Sequence, residues 1–254
     1  MSENLLMKYD RLLEIENFIK EKKSLTIEEL LETFDISIQT LRRDLKELED
    51  KGSVKKVYGG VIYNDENGVI DIAYREVNLL QVKKEVGELA SSLINDNDVI
   101  FIDSGTTACQ IIPYIKDKKN LTIITHSLLA LKELENRNDI KVILMGGEYR
   151  NDIKSFVFDV SKLNYNFNIS FISTVGFDDK AGLTNNDYYE GQVKSEIIKH
   201  SKKICVVLDH TKFDKIMFNS FASLSDIDIV VSDEKVSKKY EDLFREYKIL
   251  YICD

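Results

Sequence analysis

The sequence predicts a mixed α/β chain in two parts: a small helical head closed by a β-hairpin, then a larger, mostly parallel, Rossmann-like α/β domain. Three observations predict it. Short amphipathic helical segments crowd residues 9–52, a Gly-Gly hairpin follows them, and beyond residue 79 short Val/Ile runs alternate with amphipathic helices. A length of 254 residues fits one to two domains. The expected boundaries are 1–63 for the head, 64–78 for a linker and 79–254 for the α/β domain.

The first helix follows from Leu12, Ile15, Phe18 and Ile19, spaced three and four apart within Tyr9 to Lys22. Thr26 and Glu29 form a T-x-x-E capping box, so a second short helix starts there and runs through Leu30 and Leu31 to about Phe34. Asp35-Ile36 makes a brief turn, and Ser37 is a good N-cap for a third helix, SIQTLRRDLKELEDKG, that Gly52 ends. Leu41, Leu45 and Leu48 share one face of that helix. At about 100° per residue, Gln39, Arg42, Arg43 and Lys46 point the other way, with Thr40 at the flank.

That face is basic and polar in its first turns and acidic only later, at Glu47, Glu49 and Asp50. The pattern suits a helix whose first turns enter the DNA major groove. Arg reads guanine bidentately, Gln reads adenine, and Ser or Thr suits phosphates. In SVKKVYGGVIY, Val54, Val57, Val61 and Ile62 suggest two short strands about Gly59-Gly60, with Lys55 and Lys56 on the leading strand. A basic hairpin after such a helix is a wing.

The net charge of −9 excludes a protein that coats nucleic acid without specificity. Residues 1–60 hold 11 basic and 13 acidic residues, and the remainder 24 and 31. Neither part is basic, so any DNA surface is one face of the head, Ser37 to Lys46 plus Lys55 and Lys56. No apolar run reaches the length of a membrane span and the N-terminus lacks a secretory pattern, so the expected compartment is the cytoplasm. Cys109, Cys205 and Cys253 have no metal-site spacing. Cys205 and Cys253 lie in apolar runs and read as small buried residues. Neither a metal nor a cofactor is expected.

After a polar stretch, NDENGV at 64–69, DIAYREVN reads as extended and a helix follows from about Leu79 to Ile94. Seven apolar runs then read as strands: 99–103, 121–125, 141–145, 169–174, 204–209, 228–232 and 249–253. In a parallel sheet covered by helices, ligands bind at the C-terminal ends of the strands. The residues there are Asp103, Ser104, Gly105, Thr106 and Thr107; Thr125, His126 and Ser127; Gly146 and Gly147; Gly176; and Asp209 and Lys212. A Gly-Thr-Thr turn opening a helix offers amides and hydroxyls to an anion, though it also reads as a plain N-cap. Glu190 and Lys194 read either as an i,i+4 helix pair or as a pair facing the pocket.

The stretch TIEELLETFDISIQTLRRDLKELEDKGSVKKVYGGV resembles the winged helix-turn-helix signature of the DeoR family. Ser37, Thr40, Arg42, Arg43, Asp44, Leu45, Gly52 and Gly59-Gly60 carry the likeness. The remainder resembles that family's effector domain, itself similar to ribose-5-phosphate-isomerase-type enzymes. The matching positions are Arg75, Asn78 and Lys83; Asp103, Gly105, Thr106 and Thr107; Thr125 and Ser127; Gly146 and Gly147; Gly176; Glu190 and Lys194; and Asp209, Lys212 and Phe213. Two positions depart from the pattern. His126 replaces an Asn, and Phe158 stands where the family shows glycine, which would narrow or fill the pocket mouth.

The resemblance implies a cytoplasmic transcriptional regulator, a repressor by family habit, of a carbohydrate-utilisation operon. It would bind a double-stranded operator as a dimer or tetramer and respond to a phosphorylated sugar held partly by Gly105–Thr107. No enzymatic activity is expected. The alternatives are a regulator without an effector and, further off, a sugar-phosphate isomerase using Asp103, Glu190, Asp209 or Lys212 as base.

Overall fold

The computed structural model describes residues 3–50, 53–63 and 72–254. It divides into two compact units, residues 1–81 and 82–254.

The first unit opens with α1 (Glu3–Lys22), β1 (Ser24–Thr26), α2 (Ile27–Phe34) and α3 (Ile38–Asp50). The Thr26 hydroxyl accepts from Glu29 N at 3.1 Å, and the Glu29 carboxylate accepts from Thr26 N at 2.7 Å, so the capping box forms. Ser37 Oγ accepts from Thr40 N at 3.2 Å and caps α3. β2 (Val54–Val57) and β3 (Gly60–Tyr63) make the hairpin, and β1 joins it as a third strand in the order β1-β3-β2. β1 is too short and too close to the capping box to be read from the sequence. It explains the Gly-Gly pair. Gly59 turns at φ +80°, and a Cβ on Gly60 would stand 2.6 Å from Leu25 O of β1. Leu12, Ile15, Ile19, Leu30, Leu41, Leu45 and Leu48 form the core with Val54 and Val61.

The segment read as extended contains α4 (Ile72–Val77), which packs on β1 and β3. Its anchors are Ile72, 1% exposed, and Val77, 6% exposed, five residues apart. Six residues carry too little periodicity to announce a helix. Residues 72–77 therefore belong to the head's fold. Gly52 and the polar stretch 64–69 lie outside the described residues.

The second unit continues with α5 (Leu80–Ser91), β4 (Val99–Ile102), α6 (Thr106–Cys109), β5 (Thr122–Thr125), α7 (Leu128–Leu134) and β6 (Lys141–Leu144). Next come β7 (Glu148–Arg150), β8 (Ser155–Val157), β9 (Ile169–Ser173), β10 (Gly176–Asp178), β11 (Gly182–Asn185) and α8 (Tyr188–Lys199). β12 (Ile204–Val207), β13 (Asn219–Ala222), β14 (Ile229–Val231), α9 (Lys238–Tyr247) and β15 (Leu250–Ile252) complete it. All seven runs read as strands form one sheet in the order β15-β14-β12-β9-β4-β5-β6, and every pair in it is parallel.

Both faces of this sheet are dry. Ile100 and Ile102 of β4, Phe171 of β9 and Cys205 and Val207 of β12 point to a core shared with Val86, Ala90, Ala108 and Leu134 of α5, α6 and α7. The alternate residues, Phe101, Ile172, Val206 and Val230, meet Val193, Ile197, Tyr240 and Phe244 of α8 and α9. Period-two alternation with both phases apolar is what a doubly covered parallel strand requires. Cys205 is fully buried, and its thiol is pushed up by desolvation. Cys253 departs from the expectation. It is only half-buried, because it follows β15 at the sheet's open edge. Two smaller sheets were not legible: the hairpin β7–β8, and β10-β11-β13.

Candidate functional site

In the head, α3 buries Leu41, Leu45 and Leu48 and exposes Ser37, Gln39, Arg42, Arg43 and Lys46, with Thr40 half-buried. Lys55 and Lys56 are exposed on β2. The structure qualifies Lys56. Its ammonium lies 3.0 Å from a Glu49 carboxylate that also accepts from its backbone N–H, which holds Glu49 below its ordinary value. Tyr58 stands 68% exposed at the wing tip, a residue the sequence reading passed over. So was Asp44. It sits among the leucines of α3, 1% exposed, and takes a bidentate bond from Arg11 at 2.7 and 3.2 Å. An acidic residue on an apolar stripe was the available signal.

In the α/β unit the chain leaves β4 toward β5 and β6, then returns to β9 on the other side of β4 and winds the opposite way. The seam between β4 and β9 is a topological switch point, where such sheets open a crevice at their C-terminal ends. Asp103, just after β4, and Ser173, the last residue of β9, face each other there. The Asp103 Oδ2 atom accepts from Ser173 N at 3.0 Å, from Ser173 Oγ, and from Lys194 Nζ of α8 at 3.1 Å. Lys194 also donates to Ser173 O at 2.9 Å. Burial alone would push the Asp103 carboxyl up. The Lys194 ammonium and the Ser173 donors outweigh it, and the group lies below its ordinary value.

Glu190 does not pair with Lys194. Its two oxygens accept from Ser104 Oγ at 3.0 Å and Asn185 Nδ2 at 3.1 Å. The intrahelical salt bridge is thus replaced by two separate links to the strand ends, because both side chains lie on the buried face of α8. Asp187 caps α8 through Glu190 N and is held by Arg150 of β7 at 2.7 Å, so the β7–β8 hairpin is tied to the same helix.

The remaining predicted residues divide. Thr125 Oγ1 donates to Ile102 O at 2.7 Å, and Ser127 caps α7, so both hydroxyls serve the strand ends. Gly105 is needed for packing: a Cβ there would lie 1.8 Å from Ser173 Oγ. Thr106 and Thr107 are buried in the four-residue α6. On Gly147 a Cβ would meet Val157 O at 2.0 Å, and on Gly176 it would meet Lys215 O at 2.3 Å. Asp209 caps the following turn at Thr211 N, with Lys212 Nζ 3.7 Å from its other oxygen. Gly146 and Gly147 line a cavity of about 400 Å³ with Met145, Phe158 and Lys162, inside the usual range for small-molecule pockets. The sequence reading missed Ser173, Asn185 and Arg150.

His126 is 2% exposed and lies flat on Phe101, at 5.6 Å and 7°, with Phe158 edge-on at 6.1 Å. Burial pushes its imidazole below the ordinary value, against the pull of Asp103 and Glu190, and keeps it neutral. Asp103 Oδ1, His126 Nδ1 and Asp209 Oδ2 are buried polar atoms without a hydrogen-bond partner. All three follow the C-terminal ends of strands of the seven-stranded sheet, β4, β5 and β12.

Residues 11–67 match the family model of the DeoR-like helix-turn-helix domain, and residues 79–234 match that of the DeoR C terminal sensor domain. The chain belongs to the DeoR family. The HTH-type transcriptional regulator IolR of Bacillus subtilis is 32% identical over 96% of this chain and 98% of its own. The lactose phosphotransferase system repressor of Staphylococcus epidermidis is 30% identical over 93% and 96%. The glycerol-3-phosphate regulon repressor of Escherichia coli is 29% identical over 85% and 86%. DeoR membership makes this chain a helix-turn-helix transcriptional regulator with a sensor domain. Among the described residues no helix is long and apolar enough to cross a membrane.

Proposed function

We propose that this DeoR-family chain is a cytoplasmic repressor of a carbohydrate-utilisation operon, released or engaged by a phosphorylated sugar bound at the strand ends of its sensor domain. The observation that carries this reading is the joint match of one chain, nearly end to end, to regulators that include a lactose and a glycerol-3-phosphate repressor. The exposed Gln39, Arg42, Arg43 and Lys46 face supports the DNA half. The unpartnered buried atoms and the neighbouring cavity support the effector half. A head without net positive charge grips weakly alone. Two or four copies joined through their sensor domains supply the rest by avidity. Effector binding acts by differential affinity for the two placements of the heads.

The test is fluorescence anisotropy with DNA from upstream of the chain's own gene, at several salt concentrations, followed by titration with a panel of sugar phosphates. Arg43→Ala is expected to weaken binding and relax base preference. Thermal shifts with the same panel are expected to shrink in Lys212→Ala or Thr106→Ala. DNA binding unchanged in Arg43→Ala would overturn the assignment of α3. A panel that shifts neither the melt nor the DNA complex would overturn the sugar-phosphate part and leave a regulator without an effector.

A further inference from the structure

The geometry points to a hydroxyl subsite: Asp103 and His126, at the ends of β4 and β5, together receive an alcohol group of the effector rather than its phosphate. His126 thereby sets the specificity of this chain. The inference rests on the sensor reading above and fixes which end of the ligand goes where.

The two residues are neighbours by topology. Ile102 pairs with Thr125 in parallel register, so Asp103 and His126 leave adjacent strands side by side, roughly 4.8 Å apart. Each is nine-tenths buried or more, and each keeps one unpartnered polar atom, Oδ1 and Nδ1. Neither atom is free to turn elsewhere. Asp103 is fixed through its other oxygen by Ser173 and Lys194. The His126 ring is held between Phe101 and Phe158, and its backbone carbonyl accepts from Ser155 Oγ and Phe156 N of β8, both at 2.9 Å.

With the His126 proton on Nδ1, as the subsite requires, the pair makes two unlike demands. A carboxylate oxygen only accepts, so Asp103 Oδ1 calls for a donor. A neutral imidazole carrying its proton on Nδ1 calls for an acceptor. One hydroxyl meets both, donating to Oδ1 and accepting from Nδ1–H, as does a water molecule that the hydroxyl replaces. A phosphate dianion or a carboxylate has no proton to give. It would leave Oδ1 unpaired and set a second anion against Asp103. An amine would donate to both atoms instead and would require the opposite tautomer of His126. A wide ring on Phe101 also offers the ligand an apolar wall that an asparagine would not.

The experiment is calorimetric titration of the full chain and of His126→Phe and His126→Asn. The probes are inorganic phosphate, glucose 6-phosphate, fructose 1-phosphate, glycerol 3-phosphate, their deoxy analogues, and the neutral polyols glycerol and sorbitol. The sugar phosphate that binds is expected to bind about tenfold more weakly to His126→Phe, the loss that goes with an unpaired buried acceptor. His126→Asn, which restores a donor, is expected to recover most of it. Inorganic phosphate is expected to bind all three alike. One deoxy analogue is expected to lose at least that factor on the parent chain, and a smaller factor on His126→Phe, where only the bond to Asp103 is left to lose.

Equal sugar-phosphate affinity on the parent and on a folded His126→Phe overturns the subsite. So does a ¹⁵N spectrum, assigned against the other two histidines, that shows the bound form protonated at Nε2. If no phosphate compound binds at all, the sugar-phosphate reading fails first. A neutral polyol bound by the parent but not by His126→Phe would then still carry the hydroxyl subsite, and its absence would end it.

Discussion

Replacing Lys194 with methionine keeps most of the side chain's volume and removes only the ammonium. Asp103 is then a fully buried carboxylate that has lost its counter-charge. Breaking a buried pair from one side costs about 3–5 kcal/mol. Two donors from Ser173 remain on the same oxygen, so the lower half of that range applies. For a domain of this size each kcal/mol moves the melting point by about 2–4 °C, which gives a fall of roughly 10 °C at neutral pH. The deficit should also narrow on acidification. In the parent, Asp103 titrates below its ordinary value and stabilises the fold at any pH above that value. Without Lys194, burial raises it instead, so the folded variant takes up the proton first and gains on the parent as pH falls from 8 to 5. Thermal melts followed by circular dichroism measure both effects. A Lys194→Met chain melting within 2 °C of the parent at neutral pH would refute the reasoning, as would a Lys194→Met, Asp103→Asn double variant no more stable than Lys194→Met alone.

His126, held neutral by burial, contributes stability that is present above about pH 6.5 and lost as pH falls through its lowered folded value, so His126→Asn should flatten the acid limb of the melting curve. His210 has the opposite sign: Asp233 raises it, its contribution is present below about pH 6.5 and disappears as pH rises, and a His210→Ala chain should lose stability at pH 6 but not at pH 9. Gly105→Ala drives a methyl group into Ser173 Oγ and should destabilise the sensor domain by about 1–3 kcal/mol, measured by urea denaturation. Arg11→Met strands Asp44 in the head's core. Because Arg11 is partly exposed, the expected loss is about 2 kcal/mol, read from the head's own unfolding transition.

Much of this fold was written in one dimension. The seven sheet strands are apolar in both phases and bounded by turns, and Thr26–Glu29 and Ser37 mark their helices by local chemistry. What escaped notice depends on partners distant in sequence. β11 and β13 pair across some forty residues, and β10, β11 and β13 include Gly, Asn and Asp, which are depleted in strands. Ser173 reads as the ragged end of an apolar run until β9 is laid beside β4. Lys194 looks like a helical partner of Glu190 until the sheet supplies Asp103. Strand-end chemistry could be located from the sequence. Who bonds to whom could not, because contacts across the seam join residues some 70 to 90 positions apart.

The latch from Arg150 to Asp187 has a mechanical consequence. Arg150 grips Asp152 within its own turn and Asp187 at the head of α8, while β8 holds the His126 carbonyl. The hairpin is therefore bonded at one side to the end of β5 and at the other to the helix that carries Glu190 and Lys194. The end of β5 and the head of α8, some sixty residues apart in sequence, thus share one short hairpin as their common support.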